Sequence, residues 1–369
     1  MKRILHVVSC FEKGGTEAFI MNCFRNIDRT RFTFDILVLS ATPSPYESEI
    51  KELGGRVIYA SIRASIAYFM QEVEALFNLM KINGPYDIVH CHMDIANSIV
   101  LTAAKKAGIK KRISHSHNTG FFKGKSVRVL FSKIQQYIIL KNATDLCACG
   151  DWAGRELYGK DNLFTVIKNG IDIRCFTDIS IQSKNNIRLS LGIRDDETVF
   201  TNISRFSKQK QLPFVIDIFS YIVKTIPNSV LIIGGQDGEE RPLVLEKISK
   251  YGIRDHVRVV NVRDDIPVIL SITDYSIFPS LHEGLSFALL ENQAAGVNVF
   301  TSTSVSTESD MGLGLMNYLP LESGARSWAK IIMEHNKKLV SKAEILKSFQ
   351  DKGYDIKTSV KKLELLYEQ

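Results

Sequence analysis

The sequence predicts an α/β protein with two doubly wound domains that face each other across a cleft. Three observations lead to this prediction. The chain has 369 residues, which is too many for one ordinary hydrophobic core. Short apolar runs alternate with helical patterns in its first half, as in parallel β-α-β units. The second half repeats this style, although no residue-level repeat is visible.

The strands expected in the first half are short apolar runs that mostly end in polar or small residues. The first strand, "RILHVVS", is followed by the loop "CFEKGGTE" and the helix "AFIMNCFRNI". The further strands are "FTFDILVLS", "RVIYAS", "DIVHCH", "KRISHSH" and "DLCACG". Helical patterns such as "IAYFMQEVEALFNLMKING" and "SIVLTAAKKAGI" lie between them.

The second half predicts a further set of strands, namely "TVFTNISR", "SVLIIGG", "VRVVNV", "YSIFPS" and "VNVFTS". An irregular stretch that begins with "KNGIDIRCF" separates the two halves. We therefore expect a first domain at 1–172, a second domain at 173–352 and a terminal helix at 353–369. Ligands of doubly wound sheets bind at the carboxyl ends of the strands, so the loops that follow strands are the candidate sites.

Composition and charge indicate a globular protein. Apolar residues make up 45% and charged residues 24%, and the net charge of +7 permits contact with anionic lipid or nucleotide without requiring it. Nucleic acid is not an expected partner, because no basic stripe carries interleaved aromatic residues. No apolar run reaches the roughly 18 residues that span a bilayer. His6 and Ser9 interrupt the first apolar run, which favours a strand over a signal peptide.

The six cysteines show no pattern that points to a disulfide framework or a metal site. They are scattered, with neither a CxxC pair nor a zinc-type spacing. Cys147 and Cys149 are expected to be small buried residues of a strand. A reduced, cytoplasmic protein is the simplest interpretation.

Two of the loops after strands carry groups that bind phosphate. Gly14 and Gly15 allow close backbone approach and a positive φ, and the following helix presents free N–H groups to an anion. An ordinary tight turn is the alternative, because the loop is not a GxGxxG fingerprint. In the other loop, Arg205 and Lys210 suit a diphosphate, whereas Lys208 fits a surface position better. A solvated basic loop is the alternative there.

The stretch "SLHEGLSFALLENQAAG" contains two glutamates eight residues apart, which would lie about 80° out of phase on one helix. This spacing favours Glu283 in a loop and Glu291 in a helix that starts near Phe287. Free amides of Ser286, Phe287 and Ala288 would then hold an anion. Glu291 suits neutral hydroxyls, such as those of a ribose. Together with the basic loop this arrangement predicts a nucleotide-sugar site, and a surface helix with two glutamates is the alternative.

Four histidines fall at the ends of two expected strands. His90 and His92 lie in "DIVHCH", and His115 and His117 lie in "RISHSH". Alternate residues of a strand share a face, so we expect each pair to lie on one side of the sheet. A zinc site is the alternative, but no carboxylate of a recognised spacing accompanies them. A hydrogen-bonding or acid–base role toward a polar ligand is favoured.

With these motifs the chain resembles the family-4 retaining glycosyltransferases of the GT-B fold, which has two Rossmann-like domains. The match covers nearly the whole chain. "HSHNTG", "SRFSKQKQ" and "GYDI" are most similar to the branch that builds capsular or exopolysaccharide repeat units. The matching residues are the E-x7-E pair Glu283 and Glu291, the basic pair Arg205 and Lys210, the loop Gly14 and Gly15, the strands "DIVHCH" and "RISHSH", and Asn169, Gly170 and Asp172 of "NGID".

The resemblance implies transfer of a sugar from a nucleotide-sugar, with a UDP-sugar expected, to an acceptor hydroxyl with retention of configuration. It implies no cofactor and no bound metal, because basic residues and helix amides neutralise the leaving diphosphate. Glu291 would bind the ribose, Glu283 the donor sugar's hydroxyls, and His117, with His115 as competitor, the donor sugar near its reacting carbon. The resemblance assigns catalysis to His117, Glu283, Arg205 and Lys210, and donor binding to Gly14, Gly15, Arg205, Lys210, Glu283, Gly284, Leu285, Ser286, Phe287 and Glu291.

Three positions depart from the family pattern. Ser286 and Asn298 stand where the family usually has proline, and Asn261 stands where a glycine commonly follows the strand "VRVV". None of them removes a charged group, so activity remains expected, while the preferred base and sugar stay open.

The acceptor is expected to be a glycan or a polyprenyl-linked saccharide. Residues 121–141 mix the basic residues Lys123, Lys125, Arg128 and Lys133 with the apolar residues Phe121, Phe122, Leu130 and Phe131. Such a helix can contact an anionic membrane, which predicts peripheral attachment at the inner face of the cell membrane. The alternative is that its apolar stripe packs onto the sheet. The terminal helix, as in GT-B relatives, is expected to pack back onto the first domain.

Three rival functions share parts of this pattern. A UDP-sugar epimerase of the same fold would lack the E-x7-E placement, and a PLP-dependent phosphorylase would need a Schiff-base lysine in a longer chain. A non-catalytic nucleotide-sugar or glycan-binding relative is the main non-enzyme alternative. Slow hydrolysis of a UDP-sugar without acceptor would separate an enzyme from such a binder. The sequence leaves the oligomeric state open.

Overall fold

The computed structural model describes residues 1–62, 68–118, 121–122, 126–283 and 285–369. These residues form two compact units: unit 1 comprises Met1–Gly170 with Ile356–Gln369, and unit 2 comprises Ile171–Asp355. The divisions lie within a few residues of the predicted limits at 172 and 352. Lys123, Lys125 and Gly284, which the sequence singles out, lie outside the described residues.

Unit 1 is built from alternating strands and helices around one parallel sheet. Its strands are β1 (Lys2–Val8), β2 (Phe32–Val38), β3 (Arg56–Tyr59), β4 (Ile88–Cys91), β5 (Lys111–Ser116), β6 (Asp145–Ala148) and β7 (Thr165–Val166). Its helices up to the boundary are α1 (Gly15–Asn26), α2 (Glu47–Glu52), α3 (Phe69–Asn83), α4 (Asn97–Lys106), α5 (Ser126–Asn142) and α6 (Asp151–Tyr158).

Unit 2 has the same architecture. Its strands are β8 (Thr198–Ile203), β9 (Ser229–Gly234), β10 (Val257–Val260), β11 (Tyr275–Phe278), β12 (Asn298–Ser302) and β13 (Met316–Leu319). Its helices are α7 (Arg174–Thr177), α8 (Ile181–Leu191), α9 (Leu212–Thr225), α10 (Arg241–Lys250), α11 (Ile266–Ser271), α12 (Phe287–Ala294), α13 (Gly324–Glu334) and α14 (Lys342–Asp351). The short edge strands β7 and β13 are additions to the strands that the sequence predicts.

Both sheets are doubly wound. Their strand orders are β3-β2-β1-β4-β5-β6-β7 and β10-β9-β8-β11-β12-β13, and the strands pair in parallel. In each sheet the order reverses beside the first strand, between β1 and β4 in unit 1 and between β8 and β11 in unit 2. Ligands of such sheets bind outside the carboxyl ends of the strands at this reversal. The predicted Rossmann-like fold is confirmed for both units.

Burial of apolar faces explains why these segments form their elements. In unit 2, α9 carries Leu212, Val215, Ile216 and Phe219 on a fully buried face, which packs in one cluster with Trp328 of α13. Its proline lies in the first turn, where the missing N–H breaks no helical hydrogen bond. Unit 1 buries an equivalent cluster between its sheet and α3 and α4. Cys147 and Cys149 are buried, as predicted.

The C-terminal helix, α15 (Ile356–Glu368), belongs to unit 1 and contacts α1. A Cβ on Gly170 would lie 2.9 Å from Ile356 Cα, so only glycine permits this close approach. Ser359 Oγ donates to Lys168 O at 2.8 Å, and Lys2 Nζ donates to Tyr367 O at 2.7 Å. Tyr367 is therefore fixed inside unit 1, where its side chain is fully buried.

Within the ranges that the structure describes, no helix is both long enough and apolar enough to cross a bilayer.

Candidate active site

Two loops at the strand reversal of unit 2 are tied together. One follows β8 and contains the short 3-10 helix Lys208–Lys210, and the other follows β11. Leu281 N donates to Gln209 O at 2.8 Å, and Gln209 Nε2 donates to His282 O at 2.8 Å. These bonds bring the predicted basic loop and the predicted glutamate loop to the same edge of the sheet.

Lys210 and Glu283 form an ion pair across these two loops. The side chains are 15% and 10% exposed, so the pair is largely withdrawn from water. Opposite charges at such a site hold each other in place, and removing one would leave the other poorly solvated. The sequence places both residues at a donor site but does not predict that they contact each other. Arg205, by contrast, has an exposed side chain at the end of β8.

Helix α12 begins at Phe287, as the spacing of the two glutamates predicts. The predicted role of the Ser286 amide needs correction, because Ser286 N donates to Ser309 Oγ at 3.2 Å and is not free for an anion. Ser309 ends the 3-10 helix Thr307–Ser309, a contact for which the sequence gives no signal. The side chain of Ser286 is buried, and Leu285 packs as a partly buried residue beside the same helix.

Glu291 lies in the second turn of α12. Burial raises the pKa of its carboxyl to about 7. No hydrogen bond or ion pair to this carboxyl occurs among the residues that the structure describes. A desolvated carboxyl without an internal partner is a typical feature of a ligand site.

The glycine loop of unit 1 differs from its prediction in one respect. Gly14 is the N-cap of α1 with φ of −128° and ψ of 179°, so this loop does not need a positive φ at that glycine. A Cβ there would meet only the carboxyl of Glu17, the end of a flexible side chain that folds back over the helix start and could shift away. Gly15 is the first residue of the helix. Burial raises the pKa of Glu17 to about 7.

The four predicted histidines meet in unit 1, at the strand reversal between β1 and β4 and the adjacent end of β5. The ring centroids of His90 and His92 are 4.3 Å apart, and those of His115 and His117 are 4.2 Å apart, so each pair shares a face as predicted. His117 alone of these four rings is partly exposed. Burial lowers the pKa of His117 to about 3, so the ring is neutral at pH 7.

Sequence reasoning missed two members of this cluster. His6 pairs with His90 in the register of β1 and β4, and His6 Nδ1 lies 2.9 Å from His92 Nε2. Tyr367 Oη lies 2.8 Å from His90 Nδ1. The sequence contains one signal for His6, because it is a polar residue inside an otherwise apolar strand.

Asp94 fixes the backbone that carries His117. Its carboxylate accepts from His117 N at 2.7 Å, from Asn118 N at 3.2 Å and from Asn118 Nδ2 at 2.8 Å. Asp94 itself adopts a left-handed φ of 51°. Residues held in such sparsely populated conformations are frequent at functional sites.

A cavity of about 210 Å³ opens beside these groups in unit 1. It is lined by Thr16 and Glu17 from the start of α1, by His92 and Asp94 after β4, and by Asn118 after β5. Burial raises the pKa of Asp94, as it does that of Glu17. The cavity therefore presents carboxyl, amide and hydroxyl groups to whatever enters it.

The histidines include two sets with ligand atoms close enough to hold a metal ion. In His6, His90 and His92, and in His92, His115 and His117, these atoms lie within 4.8 Å of one another. Neutral imidazole is a common zinc ligand. However, neighbouring ring nitrogens bond directly to each other in both sets, which occupies several of the ligand atoms. The expectation of a site without metal stays a prediction.

Asn298 and Asn261, two of the positions that depart from the family pattern, form side-chain hydrogen bonds within unit 2. Asn298 is fully buried, donates to Lys338 O at 2.9 Å and accepts from Lys338 N at 3.0 Å. These two hydrogen bonds fix the segment before α14. A proline side chain could not form them. Asn261 is exposed and accepts from Arg241 Nη1 at 3.0 Å.

Comparison with known proteins assigns the chain to a family. The family model described as Glycosyl transferases group 1 matches residues 183–311, and the model described as Glycosyltransferase Family 4 matches residues 13–174. EpsF of Bacillus subtilis, a glycosyltransferase by name, is 32% identical over 97% of this chain and 94% of its own length. The capsular polysaccharide biosynthesis glycosyltransferase CapH of Staphylococcus aureus is 22% identical over 100% of this chain and 99% of its own.

The chain is also similar to a third glycosyltransferase and to one solved structure. An Escherichia coli UDP-Gal:α-D-GlcNAc-diphosphoundecaprenol α-1,3-galactosyltransferase is 28% identical over 63% of this chain and 62% of its own. The crystal structure of Anabaena HepE with UDP and glucose has a TM-score of 0.78 and 18% identity, and the match covers 100% of both chains. The chain thus belongs to the family-4, group-1 glycosyltransferases of the GT-B fold, among relatives from capsular and exopolysaccharide biosynthesis.

Proposed function

We propose that this glycosyltransferase moves a sugar from a UDP-sugar to a hydroxyl of a glycan or lipid-linked saccharide, with retention of configuration and without a metal ion. The observation that carries the proposal is the group of charges at the strand reversal of unit 2. An unpaired, desolvated carboxyl, Glu291, lies on the helix that follows the loop with the Lys210–Glu283 ion pair. A nucleotide-sugar needs this combination, because it joins neutral hydroxyls to a charged diphosphate.

Each group has a role that its surroundings support. Arg205, exposed at the end of β8, and Lys210 would neutralise the diphosphate, together with amides near the start of α12. Glu283, held by Lys210, would accept from hydroxyls of the donor sugar. Glu291 would accept from the ribose. The other proposed donor residues are Leu285, Phe287 at the start of α12, and Gly284, which lies outside the described residues.

The transfer step needs no base from the protein. The bond between the sugar's anomeric carbon and the diphosphate oxygen breaks, and the acceptor oxygen forms its bond on the same face. The acceptor's proton passes to the leaving diphosphate oxygen, so charge and atoms balance. His117 would contact the donor sugar near the reacting carbon, and its partial exposure favours it over the fully buried His115. The acceptor hydroxyl would be held in the cavity of unit 1 by the carboxyl groups of Glu17 and Asp94.

The proposal predicts that UDP and UDP-sugars raise the melting temperature and that the effect depends on Glu291. A ligand at about 100 times its Kd stabilises the folded state by about 2.7 kcal/mol. Because the pKa of Glu291 is raised to about 7, its charged form, the stronger acceptor, is more abundant at pH 8 than at pH 6. UDP should therefore bind more tightly at pH 8, and Glu291→Gln should weaken binding and abolish this pH dependence.

The control uses GDP, ADP and CDP beside UDP in the same thermal-shift assay. A shift with another base would correct the donor, whereas no shift with any nucleotide would contradict the donor site. Unchanged UDP affinity in Glu291→Gln would show that Glu291 does not bind the ribose. Release of free sugar from a bound UDP-sugar separates a transferase from a non-catalytic binder.

We further propose that α5 attaches the enzyme to an anionic membrane surface, where a lipid-linked acceptor would be found. Its buried side includes Ser132 and Gln135, while Leu130, Ile134 and Tyr137 are 62%, 48% and 64% exposed. Ile139 of the same helix is fully buried in the core of unit 1, so the helix packs through one apolar residue and presents these three outward. Lys133 and Lys141 on the same helix supply positive charge.

Replacing Leu130, Ile134 and Tyr137 together with serine should abolish sedimentation with phosphatidylglycerol vesicles. The apolar side chains would no longer enter the lipid boundary, and each remaining lysine contributes only about 1 kcal/mol. Leu163→Ser is the matched control, because Leu163 is an exposed apolar residue elsewhere in unit 1. Equal binding by the triple variant and the unmodified protein would refute attachment through α5.

A further inference from the structure

Three histidines of unit 1 form a group that can hold a metal ion, which we call the three-histidine site. His92 directly follows β4, His115 lies at the end of β5, and His117 directly follows β5. One ligand nitrogen from each of these rings lies within 4.8 Å of the other two. Tetrahedral zinc binds imidazole nitrogens at about 2.0–2.1 Å, which separates two such nitrogens by roughly 3.4 Å. The rings are therefore close to the positions that one bound ion requires.

Two further histidines hold the rings of this site from outside. His115 Nδ1 lies 3.1 Å from His90 Nε2, and His92 Nε2 lies 2.9 Å from His6 Nδ1. A histidine that binds a metal through one ring nitrogen usually uses the other nitrogen for such a hydrogen bond, which fixes the orientation of the ring. These contacts leave Nε2 of His115 and Nδ1 of His92 for an ion.

The ring nitrogens left for an ion are poorly satisfied by the protein itself. His115 Nε2 is a buried atom without a hydrogen-bond partner among the described residues, in a side chain that is fully buried. His92 Nδ1 and His117 Nε2 lie 2.8 Å apart and bond to each other. A buried polar atom without a partner costs stability. A cation would provide a partner for His115 and would replace a single bond, the one between the other two rings.

The three-histidine site can be reached from solvent. His92 lines the cavity of about 210 Å³ in unit 1, and His117 is partly exposed. A bound ion would therefore keep a fourth position for water from that cavity, as zinc sites with three protein ligands do. His6 and His90, which form the other possible group with His92, are fully buried. The group that contains His117 thus offers the shorter path for an ion.

The ligands of this site select the class of cation. Imidazole suits Zn²⁺ and similar transition metals, whereas Mg²⁺ and Ca²⁺ prefer oxygen ligands. Burial lowers the pKa of all three rings, so they are neutral at pH 7 and each has a lone pair to offer. The nearby carboxylate of Asp94 already accepts from three N–H groups of His117 and Asn118. Nitrogen ligands therefore dominate the site.

We infer that His92, His115 and His117 bind a transition-metal cation such as Zn²⁺ and that this cation inhibits the enzyme. The inhibitory role rests on the proposed function, in which His117 contacts the donor sugar and the cavity that His92 lines holds the acceptor. A cation on these rings would occupy His117 and would carry its own water into that cavity. The proposed transfer step uses no metal, so the active enzyme is the metal-free form.

Calorimetric titration of the chelator-treated, full-length protein with Zn²⁺ tests the site directly. We expect stoichiometric binding at pH 7 that a large excess of Mg²⁺ does not prevent. X-ray absorption of the zinc-loaded protein should show imidazole nitrogens at about 2.0–2.1 Å and no sulfur at about 2.3 Å. Absence of binding, or a sulfur ligand, would overturn the inference. Both measurements are independent of activity, so they test the site even if no UDP-sugar proves to be a donor.

Substitution of single histidines locates the ion. His115→Gln should abolish Zn²⁺ binding because it removes a ligand, whereas His90→Gln should weaken binding by about 10–100-fold, the usual effect of losing a group that orients a ligand. His256→Gln is the matched control, since His256 is a partly exposed residue of unit 2. Unchanged binding by His117→Gln, together with loss of binding by His90→Gln, would place the ion at the other group and refute this assignment. If a variant does not fold, X-ray absorption of the unmodified protein still shows whether imidazoles hold the ion.

Transfer rates at fixed concentrations of free Zn²⁺ test the inhibitory role. The rate should fall in proportion to the fraction of protein that holds Zn²⁺, and it should return when EDTA removes the ion. EDTA alone should not lower the rate of the purified enzyme. Stoichiometric binding with an unchanged rate would overturn the inhibitory role. A rate that EDTA abolishes would overturn it as well, because the ion would then be required for transfer.

Discussion

Lys210→Met is expected to lower kcat/KM for the donor by about 10²–10³-fold, the usual loss when one charge-stabilising group is removed from a transition state. The substitution removes the positive charge proposed to face the diphosphate but keeps most of the side chain's volume. It also leaves Glu283, which is 10% exposed, without its ion-pair partner. Steady-state kinetics with a UDP-sugar donor, together with UDP affinity from thermal shifts, measure the effect.

Lys208→Met is the matched control for this prediction. Lys208 lies in the same 3-10 helix but has an exposed side chain, so it should contribute less than about 1 kcal/mol. If both variants lose activity equally, the loss reflects general charge around the loop, and the assignment of Lys210 is wrong. The double variant Lys210→Met with Glu283→Gln removes the unpaired charge as well. It should recover the melting temperature without recovering turnover, which separates folding from catalysis.

Local signals in the sequence predict the elements of this fold well. The alternation of short apolar runs and helical patterns gives most of the strands, and the angular spacing of Glu283 and Glu291 gives the start of α12 at Phe287. Both arguments use only neighbouring residues. They succeed because a strand end and a helix start are decided largely by local periodicity and by the polar residues that follow it.

The contacts that shape the candidate site depend on the strand order, which the local pattern does not contain. His6 meets His90 only because β1 lies beside β4, and Tyr367 reaches His6 across 361 positions of the chain. Lys210 and Glu283 are 73 positions apart, and their pairing follows from the adjacency of β8 and β11. The amide of Ser286 shows the same limit, because its partner Ser309 comes from an unpredicted 3-10 helix.

The two clusters occupy equivalent places in their sheets yet carry different chemistry. The strand reversal of unit 2 carries charged groups, namely Arg205 and the ion pair between Lys210 and Glu283. The strand reversal of unit 1 gathers rings that are neutral at pH 7, beside the buried carboxyl groups of Glu17 and Asp94. A nucleotide diphosphate suits the first site, and uncharged sugar hydroxyls suit the second. This division supports the proposed assignment of the nucleotide to unit 2 and of the acceptor to unit 1.

Unit 1 is expected to lose stability steeply as the pH falls below 6.5. Its five buried histidines have folded-state pKa values below that of an exposed histidine, with His6 and His117 at about 3. Below pH 6.5 the unfolded chain therefore binds protons that the folded unit does not, and folding becomes less favourable until the pH approaches 3. Each such proton lowers the free energy of unfolding by about 1.4 kcal/mol per pH unit.

Two carboxyl groups raise the stability of unit 1 as the pH falls, opposite to the histidines. Glu17, with its pKa raised to about 7, is protonated in the folded unit before it is protonated in the unfolded chain, so it adds stability as the pH falls from 7 toward 4.5. Asp94, whose pKa is also raised, acts in the same sense at lower pH. After the contribution of Glu17 is subtracted from that of the five histidines, the free energy of unfolding of unit 1 still falls by about 5 kcal/mol per pH unit near pH 5.5. A domain's total stability is only about 5–15 kcal/mol, so unit 1 should unfold near pH 5.

Calorimetry between pH 7.5 and 5 measures this effect. Trp328 fluorescence, recorded in a Trp152→Phe variant, is the control, because Trp328 is buried in unit 2 whereas Trp152 is an exposed residue of unit 1. The transition of unit 1 should move to lower temperature as the pH falls, while the fluorescence transition of unit 2, which contains none of the five rings, should not follow it. His6→Gln removes one titrating ring, so it should reduce the pH slope by about 1.4 kcal/mol per pH unit even if it lowers stability at pH 7.5. A transition of unit 1 that stays constant from pH 7.5 to 5 would show that the five rings take up protons in the folded state and would contradict this prediction.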